Sequence, residues 1–138
     1  MNISTHFTTN EALYLPQWTR RATKQDGLTL EIWENLKVLF SKMDAIREHF
    51  GKPVIVHCAY RPPAYNSLVG GARGSSHLSG MACDFHVLGM SCDAVREEIL
   101  KAGLLDTLGL RMEDLPNSNW VHVDIRRPGP SGKRFFKP

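Results

Sequence analysis

The chain has 138 residues and a mass of 15.6 kDa, the size of one domain, and folding buries about two-thirds of the surface the unfolded chain exposes. Hydrophobic residues make up 42% and charged residues 22%, which excludes disorder and supplies a core without disulfides. The formal net charge of +3 is too small to mark a nucleic-acid binder, and no apolar run approaches the ~20 residues that span a bilayer. Neither nucleic acid nor membrane insertion is therefore expected, and a monomer is. The first ten residues, MNISTHFTTN, lack a basic segment followed by an apolar one, so synthesis in the cytoplasm without a secretory leader is expected. Cys58, Cys83 and Cys92 are odd in number and lack CxxC spacing, so they read as small buried hydrophobes.

The stretch from Thr8 to Leu15 reads as a short helix capped by Thr8 or Thr9. Thr29 to Phe50 is the clearest helix. Leu30, Trp33, Leu36, Phe40, Met43, Ile46 and Phe50 recur at three- and four-residue steps, with Thr29 as N-cap and Gly51 then Pro53 as the stop. Val54 to Tyr60 is β-branched and short, and reads as a buried strand. Residues 61 to 76, rich in Pro, Gly and Ser, read as a loop. Met81 to Val87 alternates as a second strand, and Ser91 to Ala102 forms a capped helix closed by Gly103. Leu108 to Glu113 and Trp120 to Ile125 read as a hairpin joined by residues 114 to 119. The tail, 126–138, carries five basic residues and no acid, and reads as extended and surface-lying. The fold expected for 1–138 is a single small α+β domain, a core helix on a mostly antiparallel sheet.

Two segments carry chemistry. In Ser75-Ser76-His77-Leu78-Ser79-Gly80-Met81-Ala82-Cys83-Asp84, a turn at Ser79-Gly80 lets His77 fold back toward Asp84. Gly80 suits a position with no room for a Cβ. In Trp120-Val121-His122-Val123-Asp124, the alternation puts the valines toward the core and Trp120, His122 and Asp124 on an open sheet face. Two histidines and a carboxylate with an open fourth position are the ligand set of a catalytic zinc site. His6 and His49 read as surface residues, and His57, inside an apolar strand, as a core histidine. His86 shares a strand face with Asp84 and reads as a group supporting the ligands, as a substrate contact, or as a plain structural residue.

Ser75-x-His77-x-x-Gly80-x-Ala82-x-Asp84, followed by Trp120-x-His122-x-Asp124, resembles the paired signature of the M15 zinc peptidases. These are D-Ala-D-Ala carboxypeptidases and phage-endolysin L-alanyl-D-glutamate endopeptidases. Tyr60-Arg61-Pro62 with Tyr65-Asn66, Val69-Gly70-Gly71-Ala72, and His6-Phe7-Thr8 resemble further segments of that family, so the likeness covers roughly residues 5 to 127. The resemblance implies a Hedgehog/D-Ala-D-Ala peptidase-like fold. It implies Zn2+ held by His77, Asp84 and His122, with Arg61 binding substrate and Ser75 near the site. It implies a bacterial peptidoglycan substrate, cut at a stem-peptide amide bond. Many members place an acidic general base three residues before the last histidine, where this chain has Asn119. The expected hairpin sets Glu113 opposite Trp120 and Arg111 opposite His122. Glu113 then shares a face with His122 and is the expected base, with Asp114 second and Asp124 orienting His122. Asn119 also leaves open a catalytically silent binding or structural module, and the sequence equally allows a phage tail-associated wall hydrolase.

Overall fold

Thr29 accepts a hydrogen bond from Ile32 N, and Gly51 closes the helix in the left-handed region at φ 62°. Between these caps the computed structural model, which describes residues 1–138, places helix α2, Leu30–Phe50. Leu36, Leu39, Phe40, Met43 and Ile46 are fully buried along one face. Leu30, expected in that stripe, is instead 76% exposed.

Before α2 come helix α1, Thr9–Leu13, and the two-residue strands β1, Tyr14–Leu15, and β2, Arg20–Arg21. Thr8 and Glu11 form a reciprocal capping box on α1. After α2 come β3, Val54–Cys58, α3, Pro63–Leu68, β4, Ala82–Val87, α4, Cys92–Lys101, α5, Leu104–Leu108, β5, Arg111–Glu113, β6, Val121–Asp124, and β7, Phe135–Phe136. The main sheet has the order β3-β4-β6-β5-β7. Its first four strands are antiparallel neighbours and β7 joins parallel to β5. The α+β expectation, a core helix on a mostly antiparallel sheet, matches this architecture.

Cys83, Phe85, Val87, Val121, Val123 and Met112 are fully buried in one cluster with the α2 side chains. Alternation sends Ala82, Asp84, His122 and Asp124 to the opposite face. That division sets the site: one face of β4 and β6 builds the core, and the other carries the polar groups.

Three expectations are corrected. Residues 61 to 76 are not all loop, since Pro63 occupies the first helical position of α3, where a missing N–H costs nothing. Leu108 ends α5 rather than starting a strand, and Gly109 at φ 69° terminates that turn. The hairpin register is displaced by two residues: Arg111 faces Asp124 and Met112 faces Val123. The connection is longer because Asp93 accepts from Asn117 N and Arg96 donates to Trp120 O, which pull it onto α4. A shift of two keeps every side chain on its face. The tail is anchored at its end: Met112 N donates to Arg134 O at 2.7 Å and Asp114 N to Phe136 O at 2.6 Å, making β7 the sheet edge. No helix is long and apolar enough to cross a membrane.

Candidate active site

Asp84 pairs directly opposite His122 across the β4–β6 ladder. His77 reaches them from the 3-10 turn Ser76–Ser79 that leads into β4. Gly80 ends that turn at φ 71°, and a Cβ there would lie 2.9 Å from the Ile32 carbonyl oxygen and 3.1 Å from Leu36 Cγ. The turn is thus pressed onto α2, as the expected lack of room at Gly80 requires. Asn35 of α2 donates to Ser79 O at 2.9 Å, fixing it further.

The three side chains converge. His122 Nδ1 lies 2.9 Å from Asp84 Oδ1, and His77 Nε2 lies 3.2 Å from Asp84 Oδ2. Ligand-type atoms of His77, Asp84 and His122 all fall within 4.8 Å of one another. His77 Nδ1 is 2.6 Å from the Ala59 carbonyl oxygen and donates to it, which turns Nε2 toward Asp84. That Nε2 is buried and has no hydrogen-bond partner. An orphaned buried nitrogen beside a carboxylate costs about 1–3 kcal/mol unless something fills the gap. A divalent cation would satisfy it, and a donor set of two imidazoles and one carboxylate suits zinc.

The sheet face behind these residues is not open, as alternation alone suggested. Asp124 is completely buried and His122 is 6% exposed, because Ser76 and Arg111 close over them. Arg111 grips Asp124 with two hydrogen bonds, 2.8 Å from Nε to Oδ1 and 3.0 Å from Nη2 to Oδ2. His122 Nε2 lies 3.2 Å from Asp124 Oδ2, so Asp124 orients the ring. The Arg111 guanidinium in turn stacks 4.3 Å from the Phe136 ring centroid.

Burial disfavours the charged form of each group here, and the partners outweigh it. The hydrogen bond from His122 and the closeness of His77 hold Asp84 well below the usual carboxylate range. His122 and Arg111 do the same for Asp124. Asp124 and Asp84 raise His122 to about 9. Burial pushes the Cys58 thiol up to about 12, so it stays protonated beside the cluster.

A cleft of about 430 Å³ lies over the cluster. Arg61, Ser75 and Glu113, all expected near the site, line it. Glu113 Oε1 is 3.3 Å from His122 Nε2, so the displaced register still delivers the expected carboxylate. The Arg61 backbone N donates to His77 O, and its buried Nε has no partner. A Cβ on Gly71 would lie 2.9 Å from Arg61 Nη1 and 2.0 Å from Asn66 Oδ1, so glycine makes room for both. Asp114 does not line the cleft; its backbone is tied to β7. His86 lies away from it too, against His57. His57 is exposed rather than in the core, because a bulge between Val56 and Cys58 turns it outward. Asn119 is exposed and outside the cleft.

Sequence reasoning missed Phe136, which lines the cleft from β7, and the Ala59 carbonyl that aims His77. It also missed Arg111 as the partner of Asp124. A basic residue two positions before Glu113 was the one available signal.

A small α+β sheet that gathers two histidines and an aspartate beneath a carboxylate-lined cleft defines the metallopeptidase class. The family model described as Peptidase M15 matches residues 5–124, and the chain belongs to that family. Membership suggests a zinc peptidase acting on peptidoglycan. No curated protein matches the chain.

Proposed function

We propose that the protein is a zinc-dependent peptidoglycan hydrolase that cuts an amide bond within the stem peptide. The convergence of His77, Asp84 and His122 around the unpartnered His77 Nε2 carries this reading. We assign the three as metal ligands. Zinc, when bound, would polarise the substrate carbonyl and make a nearby water more acidic.

The chain's own groups supply the rest. Glu113, 3.3 Å from His122, takes a proton from the attacking water and returns it to the leaving amine. Arg61, with a free buried Nε, holds a substrate carboxylate or the developing oxyanion, and Ser75 beside it contributes a hydroxyl. Asp124 and Arg111 keep the His122 ring from turning. In this reading Glu113, on β5, takes the acidic role that Asn119 cannot fill, which favours a hydrolase over a silent module.

A second groove favours an internal bond over a terminal one. It is lined by Gln17, Tyr65 and Val69, and it meets the first cleft at Arg61, Asp84 and Trp120. Substrate can therefore extend to both sides of the ligand cluster, which suits an L-alanyl-D-glutamate endopeptidase better than a D-alanyl-D-alanine carboxypeptidase.

Digestion of purified peptidoglycan by the zinc-loaded protein, read by mass spectrometry of the fragments, tests this. New glutamate amino termini are expected, and Glu113→Gln should cut turnover by about 10²–10⁴-fold with zinc still bound. Release of free D-alanine alone would replace the endopeptidase with a carboxypeptidase. Absence of any new terminus would overturn the hydrolase.

A further inference from the structure

Four of the six histidines have a carboxylate or carbonyl to lean on: His6 on Glu48, His49 on Glu98, His77 on the Ala59 carbonyl, and His122 on Asp84 and Asp124. His57 and His86 have only each other, with His57 Nε2 at 2.7 Å from His86 Nδ1. The ring centroids are 4.9 Å apart and the planes cross at 58°, so two ring nitrogens point at one spot from different directions.

The backbone places them there. Val56 pairs with Phe85 but Cys58 pairs with Asp84, so His57 is the extra residue of a bulge in β3. His86 stands on β4 opposite Ile55. The bulge aims His57 out of the ladder and onto His86. Both rings line a groove of about 450 Å³, together with Ser91, Asp93 and Ser118. This groove shares no lining residue with the cleft over His77, Asp84 and His122, and His57 also borders the second groove, which meets that cleft at Asp84.

We propose that His57 and His86 form a second, exchangeable binding site for a borderline transition-metal cation such as Zn2+. A tetrahedral zinc with bonds of about 2.0–2.1 Å holds two nitrogens about 3.3 Å apart, so the exposed His57 and half-buried His86 need open by only about 0.6 Å. Water and the polar groups of the groove complete the coordination. Two imidazoles without a carboxylate select zinc, copper or nickel over calcium or magnesium. Asp93 is already committed to Arg96 and Asn117, so the groove presents no free carboxylate to favour a hard cation.

Isothermal titration of the full chain with Zn2+, and separately with Ca2+, tests the site. The expected result is two zinc equivalents, the weaker one lost in both His57→Ala and His86→Ala and untouched by Ca2+. His77→Ala should lose the other equivalent and keep this one, which separates the two sites. Ring nitrogen resonances of His57 and His86 in the intact wild-type chain should shift as the second equivalent binds, a readout that needs no variant to fold. Saturation at a single equivalent, or a second equivalent that survives loss of either histidine, would overturn the proposal.

Discussion

Asp124 has no contact with water, and its charge is held by Arg111, which is itself largely enclosed. Replacing Arg111 with Met keeps the aliphatic stem but removes both hydrogen bonds to Asp124 and the guanidinium stack on Phe136. Breaking one side of a buried ion pair costs about 3–5 kcal/mol, because the remaining charge is left uncompensated. Arg111 retains some exposure and His122 still faces Asp124, so the lower end, about 3 kcal/mol, is expected. With an unfolding entropy of about 2.1 cal/mol/K per residue, that loss lowers the melting temperature by about 10 °C. Urea denaturation of the metal-free protein measures it. Asp124→Asn in the same background should recover part of the loss, since no buried charge is then stranded. Competition with a chelator should show zinc affinity falling about 10–100-fold in Arg111→Met, as the His122 ring loses its guide. A loss below about 1 kcal/mol, or additive effects of the two substitutions, would refute this account of the polar layer.

Gly80→Ala should cost about 2 kcal/mol or more, because the left-handed backbone is strained and the new Cβ meets the Ile32 carbonyl; thermal melts measure it. Phe136→Ala should lower stability by about 1 kcal/mol through the lost stack on Arg111, and raise KM for a stem peptide more than it lowers kcat, read by steady-state kinetics. The metal-free protein should show a stability maximum between about pH 4 and 6.5 from its ligand cluster. Asp84, depressed when folded, stabilises above its ordinary range and loses that as pH falls. His122, raised to about 9, stabilises below pH 6.5 and loses that as pH rises toward 9. Denaturant titrations across pH should show His122→Gln flattening the alkaline decline.

The helix α2 was legible because its period and both caps agree, and β4 and β6 because their alternation survives burial. His77, Asp84 and His122 were legible because a motif holds them at fixed spacing. The displaced β5–β6 register was not, since it depends on Asp93 and Arg96 reaching across from α4. Nor was the exposure of His57, because a bulge leaves no mark on an apolar run. The burial of His122 and Asp124 depends on Arg111, Ser76 and β7, contacts between residues far apart in the chain. Phe136 lies beyond the matched residues 5–124, so this wall of the cleft comes from outside the recognised pattern.

The single extra residue in β3 has a wider effect than its own side chain. It advances the strand by one position just before Ala59, whose carbonyl steers the ring of His77. The number of residues between Val56 and Ala59 therefore sets where that oxygen sits. Deleting one residue from this stretch would withdraw the oxygen from the His77 ring, a displacement that no side-chain substitution there would cause.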